Sequence, residues 1–397
     1  MNDLNLRLVL TALVLCLFLA GCSVNSSSGN DATRGAIESA SQSPPVTPTI
    51  QPTPMTLKVD TPTPEPTATA SPTVPAAPTL APTPVVIRTE LVTTIDAFLA
   101  TEGGIYGVVI LNAGGGYLYS QNADVPFIAA SLYKLVLLAD IYARIEQGEL
   151  SLDMTLPLLP DYFDDEFAAE DGFYLLEDEG GETTLETALF GAGAYSSNIA
   201  AKVLLSLTSF ESLRSTAESL GMWDTWFNVT PVYDVPSWPD RYLGTSNPIA
   251  ELAIAYIDEQ AEYNLLHLTT PNDVAHFWEQ LLNGEVVSPE ASSAILAILE
   301  QQVVTDRIPY LLPADYTTAN KTGNLYHVVH DSGLIFGPAD TLILAVLSQN
   351  EPDDDHGAQV IQRVALAAIG ETELPPFTVD HFEMPDAEQT ESDDQTS

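Results

Sequence analysis

The chain has 397 residues, with 12 Lys+Arg against 55 Asp+Glu and a formal charge of −43. So acidic a polypeptide repels phosphate and holds few cations with which to release counterions, which excludes nucleic acid as a partner and charge-driven docking on an anionic membrane face. The length allows two or three domains, but the composition is uneven and the chain must be divided segment by segment.

The first segment reads "MNDLNLRLVLTALVLCLFLAGC". Its apolar stretch, Leu8 to Ala20, is short for a membrane-spanning helix and fits the core of an export signal. The end of it, Leu19-Ala20-Gly21-Cys22, resembles the bacterial lipobox. That resemblance implies a signal peptide over 1–22, lipidation of Cys22, and a protein exported and lipid-anchored to the bacterial membrane on its outer, extracytoplasmic side. Cys16, the other cysteine, would leave with the signal. The mature chain would then have no disulfide and would depend on a sizeable apolar core.

Residues 23–86 are rich in Ser, Thr and Pro ("TPTPEPTATASPTVPAAPTLAPTPVV") and show no apolar periodicity. Such a segment buries too little surface to offset its ordering entropy, so a disordered tether is expected. At roughly 3.1 Å per residue it could hold a domain on the order of 100 Å from the anchor. The acidic end, 371–397, is expected to be loose.

One globular domain is expected over 87–370. "RTELVTTIDAFLATEG" has helical spacing and ends at Gly. "GIYGVVILNA" and "GYLYSQN" read as a hairpin. "SLYKLVLLADIYARIEQGEL" is a strongly apolar helix opening at Ser131. "TTLETALFGAGAYSSNIAAKVLLSLT" and "SFESLRSTAESLGM" continue a helical block. Two further helices, in "TTPNDVAHFWEQLLNGE" and "SPEASSAILAILEQQ", are each led by a capping Thr or Ser with Pro in the first turn. Two β-rich runs follow, "KTGNLYHVVHDSGLIFG" and "DTLILAVLSQ", and then a last helix, "GAQVIQRVALAAIG". Strands at both ends with helices between predict an α/β (α+β) fold: one antiparallel sheet closed by the two chain ends, with an inserted helical subdomain.

Ser131 and Lys134 form S-x-x-K. Three apart on a helix, they share a face, and the helix N-terminus favours a nearby oxyanion. A serine hydroxyl needs a group to take its proton, and a lysine held neutral can do so. Alone the motif is weak. Two more segments strengthen it: "SSN" at 196–198, 65 residues after Ser131, and "KTG" at 321–323, 125 residues after Ser196.

This order and spacing resembles the penicillin-recognising serine hydrolases, and among them the class A β-lactamases. The likeness covers nearly all of 87–370, through "GELSLDMTLPL", "LGMWDT", "TTPNDVAHFWEQLLNGEVVSPEASSAILAIL" and "LPADYTTANKTG". It implies a β-lactamase/transpeptidase-like fold with a sheet of about five antiparallel strands. It also implies roles. Ser131 would be the acylated nucleophile and Lys134 its base. Ser196 would pass a proton to the leaving nitrogen, and Asn198 would hold the substrate amide and the Lys134 ammonium. Lys321 and Thr322 would bind a substrate carboxylate, with Arg307 as a second anchor. Gly323 would keep the strand edge clear. The backbone N–H groups of Ser131 and Asn324 would form the oxyanion hole.

There are two departures from the pattern. The middle motif is Ser-Ser-Asn rather than Ser-Asp-Asn, which puts local packing in question. The deacylating Glu-x-x-x-Asn is also missing from 228–268, where Glu251, Asp258, Glu259 and Glu262 remain open as substitutes. Glu279 and Asn283 have the spacing but lie in a predicted helix. His327 and His330 would face opposite sides of a strand, so no metal or other cofactor is expected. His267 and His276 are expected on the surface or on a helix face, and "DDDH" at 353–356 as a turn and helix cap. The function implied is β-lactam hydrolysis through an acyl-enzyme, by a monomer taking a small-molecule β-lactam or cell-wall peptide, with membrane contact through the lipid only. The alternatives are a D-Ala-D-Ala peptidase or penicillin-binding protein, an esterase, or a non-catalytic envelope-binding module.

Overall fold

The computed structural model describes residues 89–164, 168–235, 247–261 and 266–377. The signal segment, Cys22 and the 23–86 tether lie outside the described residues. Helix α1 (Thr89–Leu99) leads into the hairpin β1 (Ile105–Asn112) and β2 (Tyr117–Gln121). Strand β3 (Phe127–Ile128), a 3-10 turn (Ala130–Leu132) and helix α2 (Tyr133–Glu146) follow. The helical block comprises α3 (Leu185–Ala194), α4 (Asn198–Leu205) and α5 (Phe210–Ser219), after the ribbon of β4 (Thr155–Pro157) and β5 (Glu182–Thr184). Next come β6 (Trp226–Val229), α6 (Pro248–Ala261), β7 (Leu266–Thr269), α7 (Pro271–Asn283) and α8 (Pro289–Leu299). The chain closes with β8 (Thr317–Leu325), β9 (Val328–Phe336), β10 (Thr341–Gln349) and α9 (Asp354–Ala368).

The main sheet has five antiparallel strands in the order β2-β1-β10-β9-β8. The two chain ends meet in it, with β1 paired to β10 from Ile105↔Gln349 to Asn112↔Leu342. Strands β1, β9 and β10 are buried almost throughout, as expected where both faces are covered. Alternate residues serve alternate layers. Val108 and Ile110 join Ile95, Val360 and Val364 from α1 and α9. Val109 and Leu111 join Phe277 and Trp278 from α7. Helix α2 crosses the larger core, with Leu135, Val136, Leu137 and Leu138 all buried, and so is apolar all round.

Several predicted boundaries rest on visible caps. Thr270, Ser288 and Asp353 each accept a backbone N–H three residues on. Two expectations need correction. The run "KTGNLYHVVHDSGLIFG" is not one strand: it folds back at Tyr326–His327 into β8 and β9. The end of the chain is not loose from residue 371 on. Phe377 stacks on the His356 ring at 5.0 Å and beneath the Arg363 guanidinium at 3.9 Å, while Arg363 Nε donates to Pro375 O at 2.8 Å. Residues 378–397 lie outside the described residues.

Candidate active site

Ser131 occupies the middle of the 3-10 turn that runs into α2, and neither helical start has a side-chain cap. The serine is therefore not a capping residue, which removes the structural explanation of S-x-x-K. The turn is strained and firmly held. Ala130 has φ +45°, a conformation costing a side-chain-bearing residue about 1–3 kcal/mol. Ala129 N donates to His267 O at 2.8 Å. His330 Nε2 donates to Ile128 O at 2.7 Å while its Nδ1 accepts from Ser348 N at 3.0 Å. These bonds tie the turn that carries Ser131 to β7, β9 and β10.

The three motifs converge around Ser196. Lys134 is fully buried and donates to Asn198 Oδ1 at 2.8 Å and to Ser196 O; its Nζ lies 3.5 Å from Ser196 Oγ. Lys321, also fully buried, donates to Ser196 Oγ at 2.8 Å and to Thr322 O at 2.8 Å. The Ser196 hydroxyl thus stands between two lysine amino groups. Its backbone, at φ +58°, is a second strained position of the site. Burial lowers the Lys134 pKa to about 7, opposed by the charge of Asp171. Burial also takes Lys321 well below the usual lysine range, helped by the charge of Lys134. Both lysines are driven toward the neutral, proton-accepting form.

Strand β8 supplies Lys321, Thr322, Gly323 and Asn324 at the outer edge of the sheet. Gly323 has a duty the sequence did not suggest. A Cβ there would meet Ala129 O and Ala130 Cβ, each at 3.2 Å, so the glycine lets β8 close onto the turn that carries Ser131. The Asn324 side chain is committed elsewhere, accepting from Arg307 at 2.7 Å and donating to Asp354 at 2.7 Å.

Arg307 departs from expectation. It is 6 % exposed. It donates to Gly323 O at 3.0 Å and His330 O at 2.6 Å, as well as to Asn324. A guanidinium occupied by backbone carbonyls braces β8 against β9 and is not offered to a substrate carboxylate. Beside it, buried Asp331 accepts from Ile308 N, Ser332 N and Asn320. Burial raises the Asp331 pKa to about 6, with Arg307 opposing.

Sequence reasoning missed His267, His330, Asp331 and Asp171. His267 is half-buried: it packs on Tyr133 at 4.4 Å and Phe210 at 5.5 Å, and its Nδ1 accepts from Asn228 N. Burial holds it neutral, with a pKa of about 4. His276 does lie on a helix face, paired with Glu279 at 3.2 Å. His327 sits in the β8–β9 turn at φ +59°, away from His330 on the strand.

A family model described as the β-lactamase enzyme family matches residues 90–372. The chain belongs to that family. Among solved structures it is similar to a β-lactamase from Sphaerobacter thermophilus, at 28% identity and TM-score 0.58, covering 72% of this chain and 98% of that one. A variant of the last common ancestor of Gram-negative bacteria class A β-lactamase matches at 25% identity and TM-score 0.56, covering 70% and 97%. PBP-A, as a point mutant in an acyl-enzyme complex with penicillin G, shares the fold at 20% identity and TM-score 0.55, covering 69% and 92%. No curated protein matches the chain. The protein is thus a β-lactamase-like serine hydrolase.

Within this family member the candidate deacylating acids can now be placed. Helix α6 buries Ala250, Ala253, Ile254 and Ile257, while Glu251 and Glu259 are exposed. Asp258 is half-buried on the helix flank, and Glu262 lies outside the described residues. The side chains this helix buries outright are apolar, and Asp258 turns one carboxylate oxygen inward beside them.

Proposed function

We propose that the protein forms an acyl-enzyme on Ser131 with β-lactams and releases the acyl group slowly. The observation that carries this reading is the Ser196 hydroxyl held between Lys134 and Lys321, beside the strained turn of Ser131. Ser131 Oγ attacks the lactam carbonyl as Lys134 accepts its proton. The backbone N–H groups of Ser131 and Asn324 stabilise the oxyanion. As the ring C–N bond breaks, Ser196 gives its proton to the departing nitrogen and is reprotonated by Lys134. Lys321, Thr322 and Asn198 hold the substrate. Water must then attack the ester, and the lack of a Glu-x-x-x-Asn pattern in 228–268 supports slow release. That feature also favours a second substrate class, a cell-wall D-Ala-D-Ala peptide, which enters by the same acyl transfer. The lipobox-like Cys22 and the 23–86 tether support placing the domain outside the membrane on a lipid anchor.

A chromogenic cephalosporin tests the reading. The full chain is expected to give a burst of about one equivalent and then slow turnover, the signature of an accumulating acyl-enzyme. Ser131→Ala is expected to give neither. Equal hydrolysis by both proteins would refute it.

A further inference from the structure

The motif Ser196-Ser197-Asn198 has a hydroxyl at its centre rather than a carboxylate. A carboxylate nevertheless reaches this point from another part of the chain. Asp171 lies in the connection between β4 and β5, just after a 3-10 turn (Ala168–Glu170), and is 9 % exposed. Its Oδ1 accepts from Ser197 Oγ at 2.7 Å and Tyr174 N at 3.0 Å, and its Oδ2 accepts from Ile199 N at 3.0 Å. Ser197 Oγ in turn accepts from Ala200 N at 2.9 Å. Together the two side chains satisfy two N–H groups in the first turn of α4, where a negative charge is also favoured by the helix dipole. The first residue of that helix, Asn198, holds Lys134.

We propose that Asp171 is a positioning residue for the Ser131 chemistry, fixing Ser196 and Asn198 against Lys134 through Ser197 and the first turn of α4. This rests on Ser131 and Lys134 being nucleophile and base. Lys134 also feels the charge of Asp171. The other titratable groups around it are Tyr133 on α2, His267 on β7 and Lys321 on β8. Among these groups Asp171 is the anion that keeps the ammonium form accessible. Tyr174 faces Asp171 from its own connection, and Asp178 acts on Tyr174 in turn.

The test uses the full chain, with benzylpenicillin acylation rates followed from about pH 6 to 9. In parallel, 13C-lysine NMR titration reports Lys134 directly. The chain has only four lysines, Lys58, Lys134, Lys202 and Lys321, so assignment by Lys→Arg variants is direct. Asp171→Asn is expected to acylate about 10- to 100-fold more slowly. Its rising pH limb and the Lys134 titration should both move down by about one pH unit. Ser197→Ala keeps the charge and is expected to slow acylation about tenfold with the limb unmoved. The double variant Asp171→Asn/Ser197→Asp should recover most of the rate. The proposal is overturned if Asp171→Asn matches wild type within about twofold with Lys134 unmoved. It is also overturned if the rate falls, the titration stays and the double variant recovers nothing. Should Asp171→Asn not fold, an unchanged rate in Ser197→Ala overturns it. If wild type is never acylated but the Lys134 titration moves in Asp171→Asn, the placement of Asp171 stands and the assignment of Ser131 fails.

Discussion

Two buried lysines share one hydroxyl acceptor in this site, and burial rather than a paired carboxylate controls their protonation. A base with a pKa of about 7 is half neutral at neutral pH. Acylation is therefore expected to rise between about pH 6 and 8 with its midpoint near 7, measured as the rate of adduct formation. A profile flat across that range would show that Lys134 is not the base. His330 makes a different contribution. Burial lowers its pKa from 6.5 to about 4, and its neutral ring both accepts from Ser348 N and donates to Ile128 O. A group depressed in the folded state contributes stability that is complete above its unfolded pKa and is lost as pH falls through the folded one. His330→Phe is expected to cost about 2–4 kcal/mol at pH 7 by leaving both backbone groups unpaired. Denaturant titrations should also show it losing less stability than wild type between pH 6.5 and 4. The meeting of Lys134, Ser196 and Lys321 was legible because the motif spacing forms a pattern. Arg307 was not. A cation's choice between a substrate and two buried carbonyls depends on strands β8 and β9 meeting, which no local pattern records.

At the level of elements, the site depends on how closely β8 approaches its neighbours. Gly333 on β9 permits one of these approaches: a Cβ there would lie 2.2 Å from Ala319 O and 2.8 Å from Asn320 Cα, both backbone atoms of β8. Backbone cannot swing aside as a side chain can. Gly333→Ala is expected to destabilise by about 1–3 kcal/mol and to slow acylation by displacing Lys321, with thermal melting and adduct kinetics as the readouts. Unchanged melting would show that β8 shifts freely. Helix starts at Thr270, Ser288 and Asp353 were legible because a cap is a local device. The β8–β9 turn was not, since Tyr326 and His327 carry none of the usual turn chemistry and His327 takes a positive φ without being Gly or Asn. The split of the second helix into a 3-10 turn and α2 was hidden too, because its cause is the tertiary anchoring of Ala129 and Ile128.

In the molecule as a whole, the fold brings motifs 65 and 125 residues apart to one point by closing a sheet with its first and last strands. Alternating strands and a helical block announced that closure in the sequence. The docking of 371–377 on α9 was not announced, because an acidic, Pro-containing end reads as loose until Phe377 finds Phe98, His356 and Arg363. The apolar positions that α6 buries outright were concealed in the sequence behind a segment with several acids. The decisive measurement is the intact mass of the full chain over time with benzylpenicillin, followed by peptide mapping. A persistent increase of one drug mass, located on Ser131, is the expected result. An unmodified chain with the drug intact would contradict acylation at Ser131, and an unmodified chain with the drug consumed would contradict slow release.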